Sequence, residues 1–211
     1  MSVFSSGKTP ETSVLSAFAA DERLTVKSCS RHDTIADVTN TRDTIYIVLS
    51  GTVCISEINE SGKKNILEFF GAGDIVTEDY FPRTGRSSYF CLFAHSACNI
   101  ASVSVTDFDR LLKKEDPAAE ILTASRNRIP KRILTHAAIL QQRTLSDKLL
   151  TFFGMMKNRT GTASFTVPVS YTDLADYLAV DRSAMMRELK KLNDNGIIKS
   201  EKLNITFPDP S

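Results

Sequence analysis

Short hydrophobic runs alternate with polar turns through the first half of the chain, between residues 27 and 105. Runs of this length, rich in β-branched and aromatic side chains, are typical of strands in a small antiparallel roll or barrel. The predicted strands are residues 44–49, 52–58, 65–70, 88–93 and 99–103. Gly51 and Gly62 supply turns between strands, and a further turn follows at Gly71 to Asp74. The first half is therefore expected to be an antiparallel roll.

Towards the C-terminus the hydrophobic positions recur every three or four residues, the spacing of amphipathic helices. Ser170, with Asp173 three residues later, predicts the cap of a first helix, and Asp181 predicts the cap of a second. Two short helices in this order, joined by a tight turn, are typical of a DNA-binding helix-turn-helix. Their inner faces are predicted to contain Leu174, Ala175, Leu178, Met185, Leu189 and Leu192.

The outer face of the second helix carries cationic and polar side chains. We expect Arg182 and Arg187 to contact bases, because a guanidinium can donate two hydrogen bonds to guanine. The other polar residues are expected to hold phosphates or to border the bases. The predicted DNA-binding residues are Ser170, Thr172, Arg182, Ser183, Arg187 and Lys190. The alternative is a helical hairpin whose charged face is merely solvated.

Gly196 predicts the end of the second helix, and short apolar runs follow it. Residues 197–198 and 203–207 are predicted as strands, with a turn at 199–202 between them. This arrangement predicts a wing beside the helix-turn-helix. A helix at residues 146–156, with Leu149, Leu150, Phe152 and Phe153 as its apolar residues, is expected to precede it.

An apolar stripe between residues 117 and 143 predicts a helical connection between the two halves. Its members are Ile121, Leu122, Ile129, Ile133, Ala137 and Leu140. Most of these spacings suit a seam between two helices and thus a homodimer, although an intramolecular core helix would show the same stripe. Pro130 interrupts the stretch, so that either the helix kinks near Arg126 or a fresh helix begins at Pro130.

Composition narrows the class of protein. The chain has 211 residues, 42% of them hydrophobic, and a net charge of +1 that is unevenly distributed. Residues 110–160 carry eleven basic and four acidic residues, whereas residues 161–211 carry six and seven. DNA binding should therefore depend on a few placed cations and on dimerisation. Four cysteines without a C-x-x-C pair, and no apolar run long enough to span a membrane, favour a cytoplasmic protein.

The order of these features resembles the CRP/FNR family of bacterial transcription regulators, which includes the catabolite activator protein and the fumarate-nitrate regulator. The matching segments are residues 44–53 and 62–67, the turn Gly71-x-Gly73-Asp74, the pair Arg86-Ser87 and the helix-turn-helix. The resemblance covers residues 24–207. It implies an α+β fold with an N-terminal antiparallel β-roll of the cyclic-nucleotide-binding type, a long dimerisation helix and a C-terminal winged helix-turn-helix.

The resemblance also implies domain limits and partners. The expected domains are an effector-sensing roll at 1–116, a dimerisation helix at 117–143 and a DNA-binding domain at 144–211. The expected function is a transcription regulator whose dimer reads a two-fold symmetric operator on double-stranded DNA, and which contacts RNA polymerase. An effector bound between the roll and the long helix would control it. The alternative is a small-molecule-binding module that acts through protein partners.

The resemblance places a candidate effector site on Phe70, Glu78, Arg86, Ser87 and Ile133. In members that bind cyclic AMP, a carboxylate and an arginine-serine pair at similar places hold the ribose and phosphate. This chain departs from that pattern, because Thr77 replaces a glycine and Asp79 adds a second negative charge. Residues 129–134 also lack the hydroxyls that such members offer to the base. Cyclic AMP is therefore doubtful, and a Glu78–Arg86 pair beside an apolar pocket is an alternative.

Metal and redox chemistry have little support in the sequence. His32, His95 and His136 are isolated, so no zinc or iron site is expected. Cys29 alone precedes the roll, which is too few thiolates for an iron-sulfur cluster. Haem, with an axial ligand from Cys29 or a histidine, stays open without positive support. No spacing of histidines and carboxylates predicts a catalytic metal, so a barrel enzyme is not expected.

Overall fold

The computed structural model describes residues 19–37, 41–58, 64–81, 89–113, 117–127 and 129–208. The chain divides into two compact units, Met1–Arg132 and Ile133–Ser211. None of the described helices is long and apolar enough to cross a membrane.

In the described residues of the first unit, eight strands form two antiparallel sheets. They are β1 (Thr25–Cys29), β2 (Thr34–Asp37), β3 (Thr44–Ser50), β4 (Thr52–Ile58), β5 (Lys64–Gly71), β6 (Ile75–Val76), β7 (Tyr89–Ala94) and β8 (Cys98–Ser104). One sheet has the order β1-β8-β3-β6 and the other β2-β7-β4-β5. The five strands predicted from the sequence are confirmed, with their ends shifted by at most one residue. The short strands β1, β2 and β6 were not predicted from the sequence.

The core of the roll lies between the sheets and consists of aliphatic and aromatic side chains from both. Five of these side chains have 0% of their surface exposed: Ile47, Val48, Ile55, Phe70 and Leu92. The predicted turn at Gly51 is confirmed, and this position requires glycine. Its φ is +77°, and a Cβ there would lie 2.3 Å from the carbonyl oxygen of Ala97.

Three helices follow the roll: α1 (Val105–Leu112), α2 (Pro117–Arg126) and α3 (Ile129–Leu140). The Ser104 hydroxyl caps α1 by accepting from the Asp107 amide at 3.0 Å. Pro130 is the second residue of α3, where the missing amide hydrogen costs no helical hydrogen bond. Of the two alternatives at this proline, the fresh helix is right. The stretch expected to form the dimerisation helix is therefore divided between α2 and α3.

As far as the structure describes it, to residue 208, the second unit contains three further helices and one small sheet. Its elements are α4 (Leu145–Thr160), β9 (Ser164–Thr166), α5 (Tyr171–Tyr177), α6 (Arg182–Asp194), β10 (Lys199–Glu201) and β11 (Asn204–Thr206). The strand order is β10-β11-β9. The aromatic residues Phe152, Phe153, Phe165 and Tyr177 are buried in its core.

Two sequence expectations for this unit need correction, and one of its strands was not predicted. The helix predicted at 146–156 is longer, because Thr144 caps it and Gly161, with a φ of +67°, ends it. The first wing strand lies at Lys199–Glu201 rather than at 197–198, because Ile198 is buried and the turn falls at Lys202. The third strand, β9, was not predicted, since three residues are too few to show alternation.

Candidate nucleic-acid interface

The start of α5 is fixed by the capping pair expected from the sequence. The Ser170 hydroxyl accepts from the Asp173 amide at 3.2 Å and donates to the Asp173 carboxylate at 2.5 Å. The cap gives one of the free amides in the first turn of α5 a hydrogen-bond acceptor. This first turn lies at the surface. Ser170 and Thr172 are both exposed there, as an interface with phosphates requires.

The turn between α5 and α6 is a Schellman motif. The Val180 amide donates to the Ala175 carbonyl at 3.0 Å, and the Ala179 amide donates to the Asp176 carbonyl at 3.2 Å. Ala179 has a φ of +53°, which brings the chain round within two residues. The Lys148 ammonium of α4 donates to the Leu178 carbonyl at 3.2 Å and thus stabilises the C-terminal end of α5.

Helix α6 presents the predicted polar face to solvent. The Asp181 carboxylate caps it by accepting from the Ala184 amide at 2.8 Å. Met185, Leu189 and Leu192 are buried, as expected. The four residues on the opposite side are all exposed: Arg182, Ser183, Arg187 and Lys190. Ser183, Arg187 and Lys190 succeed one another at spacings of four and three residues, so they lie along one stripe of the helix.

The cations of the second unit differ in their partners. Lys191 pairs with Glu188 at 3.6 Å, and Lys199 pairs with Glu201 at 3.3 Å. Arg182, Arg187 and Lys190, in contrast, form no ion pair with any other described residue. Their charges are therefore available to a ligand. A helix face bearing unpaired cations and a hydroxyl is suited to hydrogen-bond base edges and phosphates.

A contact that the sequence did not predict joins the wing to the helix-turn-helix. The Tyr171 hydroxyl donates to the Lys202 carbonyl at 2.5 Å. Lys202 forms the wing turn with a φ of +53°, and its side chain is exposed. Burial raises the pKa of Tyr171, which keeps its hydroxyl protonated as a donor. The hydrogen bond thus places the Lys202 turn beside the first residue of α5.

The structure describes three of the five residues expected to bind an effector, so this site stays a prediction. Phe70 is fully buried in the roll, whereas Glu78 is exposed in a short 3-10 turn at Glu78–Tyr80. Ile133 belongs to the second unit and is 43% exposed. Arg86 and Ser87 lie outside the described residues, so the Glu78–Arg86 alternative stays a prediction. Within the described ranges, no three histidine, cysteine or acidic side chains gather as a metal site would require.

The roll instead contains a buried charged cluster that sequence reasoning missed. The Arg132 guanidinium, in the first turn of α3, lies 3.0 Å from the Asp74 carboxylate and 3.5 Å from the Glu68 carboxylate. The side chains are at most 10% exposed. The sequence signal that could have indicated this cluster is Glu68, a charged residue inside the apolar run of β5. Burial raises the pKa of Glu68, although Arg132 opposes that effect.

Comparison with known proteins agrees with both halves of this architecture. Residues 26–115 match the cyclic nucleotide-binding domain family, and residues 145–211 match the Crp-like helix-turn-helix domain family. The chain belongs to the CRP/FNR family of transcription regulators. The cyclic nucleotide-binding match precedes the helix-turn-helix match along the chain. The CRP/FNR assignment makes the chain a transcription regulator with a helix-turn-helix DNA-binding domain.

Individual CRP/FNR relatives are distant in sequence. A probable transcriptional regulator flp of Lacticaseibacillus casei is 24% identical over 183 residues, which cover 87% of this chain and 83% of the relative. The cAMP-activated global transcriptional regulator CRP of Haemophilus influenzae is 23% identical over 74% of this chain and 71% of its own. A cyclic nucleotide-binding domain containing protein from Listeria monocytogenes has the same fold, with a TM-score of 0.69 and 13% identity over 93% of this chain and 95% of that one.

Proposed function

We propose that this chain binds double-stranded DNA as a homodimer and reads a two-fold symmetric operator. The observation that carries the proposal is the exposed face of α6, where Arg182, Arg187 and Lys190 have no acidic partner among the described residues. Arg182 and Arg187 are the base-contacting candidates. Ser170, Thr172 and Lys190 hold phosphates, and Ser183 borders the bases. Lys202 adds a phosphate contact from the wing.

Dimerisation follows from the short reach of one recognition helix. One α6 contacts only a few base pairs, whereas a dimer reads two half-sites about one helical turn apart. Helix α3 supports a dimer through its exposed apolar residues, because Ile133 is 43% and Leu134 is 70% exposed. A second copy of α3 packed against these side chains would bury them.

The regulator works in the cytoplasm, where bacterial DNA and RNA polymerase are both accessible, and it acts on transcription through contact with the polymerase. A small effector bound to the roll controls its binding to DNA.

A titration of double-stranded DNA tests the proposal. The intact chain is added to a labelled duplex of about 30 base pairs with mixed sequence, and fluorescence anisotropy reports binding at low salt. We expect binding that weakens with salt and that is lost in the Arg182→Ala/Arg187→Ala double variant. Arg110→Ala is the matched control, because Arg110 is an exposed arginine of the first unit that already pairs with Asp107 at 2.9 Å. Equal binding by all three proteins would reject α6 as the DNA-reading element.

A further inference from the structure

Helix α6 contains two adjacent methionines in different surroundings. Met185 has 0% of its surface exposed and lies on the buried face of the helix with Leu189 and Leu192. Met186 is partly exposed. Successive residues of an α-helix point about 100° apart, so Met186 cannot share the buried face with Met185. Met185 therefore serves the core at this level of the helix, and Met186 lies at the border of the outer face.

The neighbours of Met186 on the helix surface are residues that we propose to bind DNA. Arg182 and Lys190 lie four residues before and after it, and Ser183 lies three residues before it, so all three adjoin it. All three are exposed, and the two cations form no ion pair with another described residue. Met186 thus places an apolar group in a row whose other members are charged.

The direction of a helical side chain brings Met186 closer to the start of α6. Long side chains lean towards the N-terminus of their helix, so Met186 covers the turn that contains Arg182 and Ser183. Met186 is the fifth residue of α6. The N-terminal residues of a recognition helix are the ones that contact base edges in the major groove. Met186 is therefore placed where bases are read.

An apolar side chain can read one feature of DNA that cations and hydroxyls read poorly. In the major groove thymine presents its 5-methyl group, and apolar side chains recognise thymine by contact with this methyl. Methionine suits such a contact, because its unbranched chain is flexible and its sulfur is polarisable. The exposed part of Met186 can thus cover a methyl group while the neighbouring cations bind polar atoms.

We propose that Met186 is a specificity-determining residue that contacts the 5-methyl group of one thymine in each half-site. The proposal rests on the proposed function, because it requires α6 to lie in the major groove. Arg182 and Arg187 select their bases by hydrogen bonds, whereas Met186 selects a neighbouring base by its methyl group alone. Any base with a methyl group at the same place in the groove, such as 5-methylcytosine, is then accepted in part.

Removing thymine methyl groups one at a time tests the proposal. The probe is the duplex that the wild-type chain retains from a pool of random duplexes, remade with deoxyuridine in place of single thymines. Fluorescence anisotropy measures the affinity of the intact chain for each duplex. We expect one thymine in each half-site at which loss of the methyl weakens binding about fourfold, the contribution of one buried methyl group. Met186→Ala should lose this difference and keep the response at every other thymine.

Two controls accompany this measurement. Met155→Ala, at a partly exposed methionine of α4, should respond to deoxyuridine as the wild type does. In the second control, a cytosine–guanine pair replaces the critical thymine–adenine pair. A methyl group at C5 of that cytosine should strengthen binding by the wild type and leave binding by Met186→Ala unchanged. Alanine is the strongest helix former and position 186 is not fully buried, so the variant is expected to fold.

The outcomes separate this proposal from the proposed function. A wild type that binds its selected duplex but responds to no single thymine methyl would overturn the role of Met186 and leave DNA binding by α6 intact. The role would equally be overturned if Met186→Ala kept the full response to the methyl, whatever its overall loss of affinity, because Met186 would then only border the core. A wild type that retains no duplex would overturn both proposals.

Discussion

The imidazole of His136 is stacked on the ring of Tyr177, with centroids 4.1 Å apart and planes inclined by 16°, and its Nε2 lies 2.8 Å from the Tyr177 carbonyl oxygen. A carbonyl oxygen can only accept, so Nε2 carries a proton and donates this hydrogen bond. His136 is buried, and this burial lowers its pKa below the ordinary 6.5, with nearby Lys148 acting in the same direction.

Acidification should therefore destabilise the second unit. Because the pKa is lower in the folded state, below about pH 6.5 the unfolded chain binds a proton that the folded chain does not bind. The free energy of unfolding is therefore highest above pH 6.5 and falls as the pH drops below it. We expect the free energy of unfolding to be lower at about pH 5.5 than at about pH 7.5. Unfolding in denaturant at the two pH values measures it. His136→Gln should remove most of this dependence, and His32→Gln, at an exposed histidine, should leave it intact.

Replacing Ala179 by glycine should stabilise the helix-turn-helix. Ala179 has a φ of +53°, a conformation that costs an L-residue with a Cβ about 1 kcal/mol and costs glycine almost nothing. We expect Ala179→Gly to raise the free energy of unfolding by about 0.5–1 kcal/mol. Ala138→Gly, at an exposed position inside α3, should lower it by about the same amount. A loss of stability in Ala179→Gly would mean that the turn is not built as described.

Arg187 and Lys190 should differ in what their loss does to DNA binding. If Arg187 contacts a base, Arg187→Ala costs about 1–3 kcal/mol on the preferred site and relaxes the preference at one position of each half-site. Lys190→Ala should instead weaken binding to all sequences alike and reduce the salt dependence by about one ion. Competition binding with single-substituted duplexes separates the two. A uniform loss in Arg187→Ala would make this residue a phosphate contact.

The four cysteines should react slowly in the folded protein. All four are buried, and burial, together with the neighbouring Cys29, raises the pKa of Cys98 to about 11. Because the thiolate is the reactive form, a chromogenic disulfide reagent should modify few thiols at neutral pH and all four after denaturation. Ser28→Cys, which adds a thiol at an exposed position of β1, should react at once. Rapid modification of the unaltered native chain would contradict the described burial.

The elements with strong local signals could be predicted from the sequence. The caps at Ser170 and Asp181 and the glycine turn at Gly51 depend on side chains close to one another in the chain, so a single sequence contains their cause. The wing was misplaced because its strands have three residues each. The limits of β10 depend on its pairing with β11, and those of β11 also depend on its pairing with β9, which lies more than thirty residues away in the sequence.

The candidate sites also differ in whether local or long-range contacts determine them. The exposed face of α6 follows from helical spacing alone and was predicted in full. The cluster of Arg132 with Glu68 and Asp74 could not be predicted, because it joins a helix residue to residues 58 and 64 positions earlier, and no local pattern specifies that pairing. A charged residue inside the apolar run of β5 indicated that Glu68 needs a partner, but not which one.

The most direct test of the account is selection of binding sites from a pool of random duplexes by the purified wild-type chain, with the Arg182→Ala/Arg187→Ala variant selected in parallel. We expect the wild type to enrich a two-fold symmetric sequence whose half-sites lie about 10 base pairs apart, centre to centre, and the variant to enrich none. A pool that shows no symmetric sequence, or the same sequences with both proteins, would contradict the claim that a dimer reads its operator through α6.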